Sequence, residues 1–265
     1  MDFTIITPSL NYGRYLGDCL QSVADQKGVT LEHLVFDAGS IDDSAEVAAR
    51  FPHVRWTQEP DSGMSNAINK GFNQAAGDWV IWLNADDRLK PSSLAEMLGA
   101  LKNTDGDVVY GDYDFINLSG GLTRHMKVPV WSRFVHIHHH CYVPSTAAFY
   151  RNSTIIRKGH RLREDFHYVM DGEFYARLDS IGMKFKHVPI DIADFRMHGE
   201  NASQRHLVGT RDMDTILAAE RQHVESRAIR RAYGITLFKD PYLTGLVDGL
   251  LFIVSRGWKA VLKLQ

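Results

Sequence analysis

Two adjacent carboxylates, Asp86 and Asp87, stand in Asn84-Ala85-Asp86-Asp87, just after the apolar run from Trp79 to Leu83, with no basic residue directly before them. Neighbouring carboxylates repel each other and gain most when a divalent cation lies between them and a ligand. Oxygen donors suit Mg2+ or Mn2+, and Mg2+ is commonly completed by substrate phosphates. The alternative is a helix cap, a start that Pro91 already supplies. Asp171, in Met170-Asp171-Gly172-Glu173, opens an amphipathic stretch. A carboxylate there could take the proton of an acceptor hydroxyl, or could be a solvated first-turn acid. His198 follows Phe195-Arg196-Met197. Its imidazole could bind Mn2+, and Arg196 or Arg205 could meet phosphate oxygens, although a lone loop histidine can also be merely exposed. Asp37 ends another apolar run, where it can accept from a base N–H or a ribose hydroxyl. The run His136, His138, His139, His140 has no adjacent acid and reads as groove lining or surface more than as a metal tract.

These residues need elements to position them. Phe3–Thr7, Leu31–Phe36, Val54–Thr57 and Trp79–Leu83 read as strands. They alternate with helices at Tyr15–Gln26, from Ser40, at Ser65–Ala75 and at Ser92–Leu101. Such alternation predicts parallel strands covered on both faces, with ligands beyond the carboxyl ends of the strands. All four strand ends are polar: Thr7-Pro8-Ser9-Leu10-Asn11, Asp37-Ala38-Gly39-Ser40, Glu59-Pro60-Asp61-Ser62-Gly63 and Asn84-Ala85-Asp86-Asp87. They predict one shared ligand site. The second half is less regular. Asp107–Ile116 and Thr146–Tyr150 read as strands, Tyr168–Ile181 as a helix, Phe185–Met197 as extended chain and Arg205–Arg230 as a long helix.

Composition bounds the function. The 265 residues are 44% hydrophobic, enough for one α/β core with a small appendage. A net charge of -2 gives no support to nucleic-acid binding. Cys19 and Cys141 form no CxxC pair, which suggests a reducing compartment. The N-terminus reads as the first strand of a cytoplasmic domain and not as a signal peptide. No GxGxxG follows the first strand and no GxxxxGK[ST] occurs, which argues against dinucleotide enzymes and P-loop kinases.

Taken together, the segments resemble the inverting family 2 glycosyltransferases of the GT-A fold, in the bacterial cell-surface polysaccharide group. The resemblance is carried by Ile5-Ile6-Thr7-Pro8-Ser9-Leu10-Asn11, by Asp37-Ala38-Gly39-Ser40-Ile41-Asp42-Asp43-Ser44, and by Glu59-Pro60-Asp61-Ser62-Gly63 with the helix to Gly71. Gly77-Asp78 through Asp87, Tyr168-Val169-Met170-Asp171 and Arg196-Met197-His198 complete it. It implies an α/β protein with a Rossmann-like GT-A mixed sheet flanked by helices. Residues 1–204 would be the catalytic domain, divided into a donor half (1–105) and an acceptor half (106–204), and 205–265 a helical extension.

By the same resemblance, Thr7, Pro8 and Asp37 hold the nucleoside, and Asp61 and Lys70 lie near the ribose and diphosphate. Asn84 and Arg196 line the donor site, Asp86 and Asp87 bind Mg2+ or Mn2+, His198 is a contact of that metal or of the diphosphate, and Asp171 is the catalytic base. Asn84 stands where many relatives have aspartate, which leaves open whether Asp86 or Asp87 is the main metal ligand. Met170 stands where relatives often have glutamate. The implied partners are a nucleotide-diphosphate-sugar donor and a sugar or lipid-linked glycan acceptor, in polysaccharide, O-antigen or glycolipid synthesis. The rival readings are a sugar-1-phosphate nucleotidyltransferase, which should carry a glycine-rich, arginine-containing loop after the first strand, and a non-catalytic nucleotide-sugar or glycan-binding protein. Apolar residues from Leu243 to Leu262 form a helical stripe interrupted by Asp248 and Arg256, with Arg256, Lys259 and Lys263 near the end. Residues 243–264 are too charged for a span. They read either as a helix packed on the domain or on a second subunit of a homodimer, or as a contact with the cytoplasmic face of the inner membrane.

Overall fold

The computed structural model describes residues 1–138, 140–199, 201, 221, 224–229 and 231–234, without the side chain of His138. The four expected strands form β1 (Phe3–Ser9), β2 (Leu31–Asp37), β3 (Val54–Gln58) and β4 (Trp79–Trp82). They pair in parallel in the order β3-β2-β1-β4, so their carboxyl ends share one edge. β1 and β4 are buried along their whole length, as apolar runs covered on both faces should be.

The sheet continues through β8 (Ala148–Arg151), β6 (Val108–Ile116), β9 (Phe185–Arg196) and β5 (Arg88–Leu89), while β7 (Leu122–Met126) pairs with β6. β8 runs antiparallel to β4 and β6, whereas β9 runs parallel to β6. The architecture is thus a mixed α/β sheet flanked by helices, as expected.

Alternate side chains feed two cores. Ile6, Val80 and Trp82 face one side with Ala67, Ile68 and Phe72 of α3 (Met64–Gln74) and Phe174, Tyr175 and Leu178 of α6 (Met170–Ser180). Phe3, Ile5 and Ile81 face the other side with Cys19 and Val23 of α1 (Gly13–Ala24) and Leu94, Met97 and Leu101 of α4 (Ser93–Leu101). This follows from the two-residue period of a strand.

Several boundaries differ from expectation. The second helix, α2, spans Ser44–Ala48 and does not begin at Ser40. The Asp37 carboxylate takes the backbone N–H groups of Gly39 and Ser40, and Asp42 takes that of Ser44, so short polar side chains hold the intervening chain out of a helix. The dipeptide strand β5, the hairpin strand β7 and α5 (Arg133–His138) had no readable periodicity at their lengths. Most of the long helix expected at 205–230, and the whole tail at 243–264, lie outside the described residues. Within 205–230, residue 221 and residues 224–229 are helical. No helix among the described residues is long and apolar enough to cross a membrane.

Candidate functional site

The loops after the parallel strands interlock. Asn11, at φ 57, donates its N–H to Ser40 Oγ at 2.7 Å and accepts from the N–H of Ile41 at 2.9 Å. The Gly13 N–H, at the start of α1, donates to Asp42 at 2.9 Å. A Cβ at Gly13 would meet Asp43 Oδ1 at 2.0 Å and the Ser44 backbone N at 3.0 Å, so any larger residue there must displace the Asp43 side chain. Asp37 is 1% exposed, and both its oxygens hold the Gly39–Ser40 turn. Thr7 is also buried, with its hydroxyl 2.9 Å from His33 Nε2. Pro8 is a buried strand residue in register with Phe36. Asp61 accepts the Gly63 N–H at 2.8 Å, and Lys70 reaches Glu59 at 2.8 Å and the Pro60 carbonyl at 3.0 Å. The expected nucleoside residues therefore lie along one edge, and most of their polar atoms shape the loops.

The end of β4 meets the end of β9. Asp86 Oδ2 accepts from His198 Nε2 at 2.9 Å and from Asn201 Nδ2 at 3.1 Å. The imidazole of His198 stacks on Tyr15 at 4.9 Å between ring centroids, with Tyr12 edge-on at 6.0 Å. His198 Nδ1 is buried and has no partner among the described residues. Asp87 turns inward, where its carboxylate accepts the Arg196 N–H at 3.0 Å and Asn84 Nδ2 at 3.1 Å. Burial, and then the negative charge of Asp86, push the Asp87 carboxyl well above the usual range. Asn84 itself is fixed by the Trp82 indole N–H at 2.7 Å.

Arg196 is 1% exposed and fully engaged. It donates to the carbonyls of Asp86 and Leu118 at 2.9 Å each and to Asp18 Oδ2 at 2.8 Å, with its guanidinium over the Tyr15 ring. Asp86, Asp87, Asn84, Arg196 and His198 are thus brought together, as the resemblance implied. Asp18, Tyr15 and Asn201 join them unforeseen. The signal for the first two was present, since Tyr15 and Asp18 lie three apart on α1.

Asp171 occupies a different cluster, in the first turn of α6. One oxygen accepts the Gly172 N–H at 2.7 Å, and the other faces Cys141 Sγ at 3.9 Å. Burial raises its carboxyl above the ordinary value. His136, from the histidine run, lines this cluster: its Nε2 lies 2.8 Å from the Gly172 carbonyl and its ring packs on Trp131. Among the described residues no group of three or more histidine, cysteine, aspartate or glutamate side chains could hold a metal by itself.

The model of glycosyl transferase family 2 matches residues 4–169. A PGL/p-HBAD biosynthesis glycosyltransferase of Mycobacterium tuberculosis is 33% identical over 117 residues, covering 42% of this chain and 46% of that protein. The uncharacterized glycosyltransferase YibD of Escherichia coli is 30% identical over 124 residues, covering 45% and 36%. The chain thus aligns with less than half the length of these curated relatives. Among solved structures, S. aureus TarS 1-349 in complex with UDP-GlcNAc superposes with a TM-score of 0.65 at 14% identity, covering 91% of this chain and 77% of that one. The mannosyltransferase PcManGT from Pyrobaculum calidifontis, in complex with GDP-Man and Mn2+, gives 0.59 at 15% identity, covering 97% and 83%. At these identities the likeness shows the fold, which is that of GT-A glycosyltransferases.

Proposed function

The chain belongs to glycosyl transferase family 2, and we propose that it moves a glycosyl group from a nucleoside-diphosphate sugar to an acceptor hydroxyl, with inversion at the anomeric carbon. The observation that carries this reading is the pairing of Asp86 with His198 beyond the parallel strand ends, with a separate raised carboxyl at Asp171.

The donor set fits Mg2+ or Mn2+. Cis ligands of an octahedral ion with bonds of about 2.1 Å lie roughly 3 Å apart, and Asp86 Oδ2 and His198 Nε2 are separated by 2.9 Å. Two protein ligands are enough where donor phosphates and water complete the shell. Bound there, the cation would supply positive charge to the leaving diphosphate. Asp87 holds no outward oxygen; in this reading it and Arg196 fix the backbone that aims Asp86. Arg196 therefore acts behind the site and not on the diphosphate.

Asp171 takes the acceptor proton on the oxygen that Gly172 does not occupy. As that proton leaves, the acceptor oxygen forms its bond to the anomeric carbon from the face opposite the diphosphate. The C–O bond to the diphosphate breaks and its electron pair leaves with the phosphate oxygen. A carboxyl raised by burial is a stronger proton acceptor than an exposed one.

Residues 1–204 form the catalytic unit in this reading, with 205–265 as its extension. The acceptor is a sugar or lipid-linked glycan at the cytoplasmic face of a membrane, reached through residues 243–264. A chain ending at Pro241 should then lose flotation with anionic liposomes but keep donor turnover. If truncation instead converts a homodimer to a monomer, the tail is a subunit contact.

The donor reading is tested by thermal shift with UDP-, GDP- and dTDP-sugars and Mn2+, followed by nucleoside-diphosphate release. One nucleotide class should raise the melting temperature and be turned over. Stabilisation without any release would favour a binding protein.

A further inference from the structure

The helix that carries Asp171 begins without a side-chain cap of its own, since Val169 at the N-cap makes no such bond. Unpaired N–H groups at a helix start must find partners elsewhere. The chain leading into α6 is instead held from two sides. On the donor side, Glu164 accepts from Ser62 at 3.2 Å and from Asn66 and Asn69 at 3.0 Å each. Asn69 also exchanges two bonds of 2.9 Å with the backbone of Leu162.

On the opposite side, the Glu225 carboxylate accepts the backbone N–H groups of His167 and Tyr168, each at 3.1 Å. Residues 224–229 and 231–233 are helical, and Glu225, Ile229 and Tyr233 follow at four-residue spacing, the interval that brings helical side chains to one side. Ile229 is 7% exposed, and its Cδ1 would lie 3.8 Å from a Cβ at Gly172, next to Asp171. The Tyr233 hydroxyl donates to Glu173 Oε1 at 2.9 Å, and its carbonyl accepts from Arg133 at 3.0 Å. Glu173 is fully buried and also accepts from Arg177 at 2.9 Å. One face of this helix thus bonds before the Asp171 turn, packs on it and bonds after it.

We propose that this helix is a strap for the catalytic carboxylate and that Glu225 is a positioning residue for Asp171. The proposal rests on the assignment of Asp171 as base. Glu225 touches no reacting atom. It fixes the turn at 167–169, and with it the first turn of α6 and the direction of the Asp171 oxygen that Gly172 leaves open. A displacement of a reacting group by about 1 Å can cost on the order of a hundredfold in rate. The strap and the Glu164 contacts together clamp the base between the donor loops and the chain beyond 204.

The test uses the full chain with Mn2+, UDP-GlcNAc and GDP-mannose as probe donors, and water as acceptor. Glu225→Ala should lower kcat for donor hydrolysis by roughly tenfold to a hundredfold while the donor KM stays within about twofold. Glu225→Gln, which keeps an acceptor oxygen, should restore most of the rate. In an Asp171→Asn background the same Glu225→Ala change should cost less than about twofold, because residues that act through one another are not additive. An equal loss in both backgrounds, or a change confined to donor KM, overturns the strap. If Asp171→Asn alone leaves turnover intact, it is the base assignment that fails, and the positioning role of Glu225 falls with it. If Glu225→Ala does not fold, Tyr233→Phe removes a single bond of the same strap and is read in the same way. If neither donor is turned over, amide hydrogen exchange decides: faster exchange at 167–172 in Glu225→Ala, largely reversed in Glu225→Gln, supports the strap, and unchanged exchange in Glu225→Ala overturns it.

Discussion

Asp86 and His198 are joined by a 2.9 Å hydrogen bond between Oδ2 and Nε2, across 112 positions of sequence. It ties the last loop of the parallel strands to the end of β9, so the donor edge is closed by a residue from the far half of the chain. Asp86→Ala should abolish transfer and metal-dependent donor binding with the fold intact, because among the described residues the Asp86 side chain bonds His198 and Asn201, while its carbonyl, which holds Arg196, is kept in the variant. His198→Ala should weaken Mn2+-dependent binding by at least about tenfold. Calorimetry with nucleotide in the presence and absence of Mn2+ checks both. Near-normal turnover of Asp86→Ala with Mg2+ or Mn2+ would sink the metal assignment.

Arg196 and Asp87 should behave differently from Asp86. Arg196 is buried and meets Asp86, Leu118 and Asp18 at once. Arg196→Met keeps much of the volume but leaves two carbonyls and Asp18 without their donor. Asp18 is exposed and is rehydrated when its partner goes, so the cost comes from the Asp86 and Leu118 carbonyls, at about 1–3 kcal/mol for a buried acceptor left without its donor. Urea unfolding should therefore show a large loss of stability. A folded Arg196→Met variant of normal stability that loses only nucleotide affinity would return Arg196 to the diphosphate.

The donor half was legible because its strands are buried on both faces and read as apolar runs, each followed by a polar loop. The pairing of Asp86 with His198 was legible only through the resemblance, since no local pattern joins positions 112 apart. The inward turn of Asp87 was not legible. Adjacent carboxylates look alike in sequence, and only the Arg196 N–H and Asn84 decide which one points away. Arg196 shows the same limit: its charge suggested phosphate, but its burial under Tyr15 is a tertiary fact. β5 and α5 escaped because 2 and 6 residues are too few to show a period.

Asp171→Asn should reduce turnover by roughly a hundredfold to ten-thousandfold and leave donor affinity largely unchanged. Asparagine can still accept the Gly172 N–H, so the α6 turn should survive. Single-turnover kinetics separate the two effects, and NMR of the product anomer should show inversion relative to the donor. Loss of donor binding with retained turnover at saturation would move Asp171 into the donor site.

The last expectation concerns acid stability. His33 is fully buried on β2, with Nε2 2.9 Å from the Thr7 hydroxyl and Nδ1 without a partner among the described residues. Burial, and then the nearby His53, lower its pKa to about 3. The unfolded chain binds a proton near the ordinary value of about 6.5 while the folded chain does not. Stability is therefore full above that value and falls as the pH drops from about 6.5 towards 3, by up to about 1.4 kcal/mol per pH unit. Urea midpoints measured from pH 7 to pH 4 should show this decline. His33→Leu should flatten it, whatever its effect at pH 7, because leucine cannot take the proton. Some slope should remain, since burial also lowers His53 and His136. An unchanged slope in His33→Leu would mean that His33 takes up its proton at the same pH in the folded and unfolded chain, and the burial argument for this residue would fail.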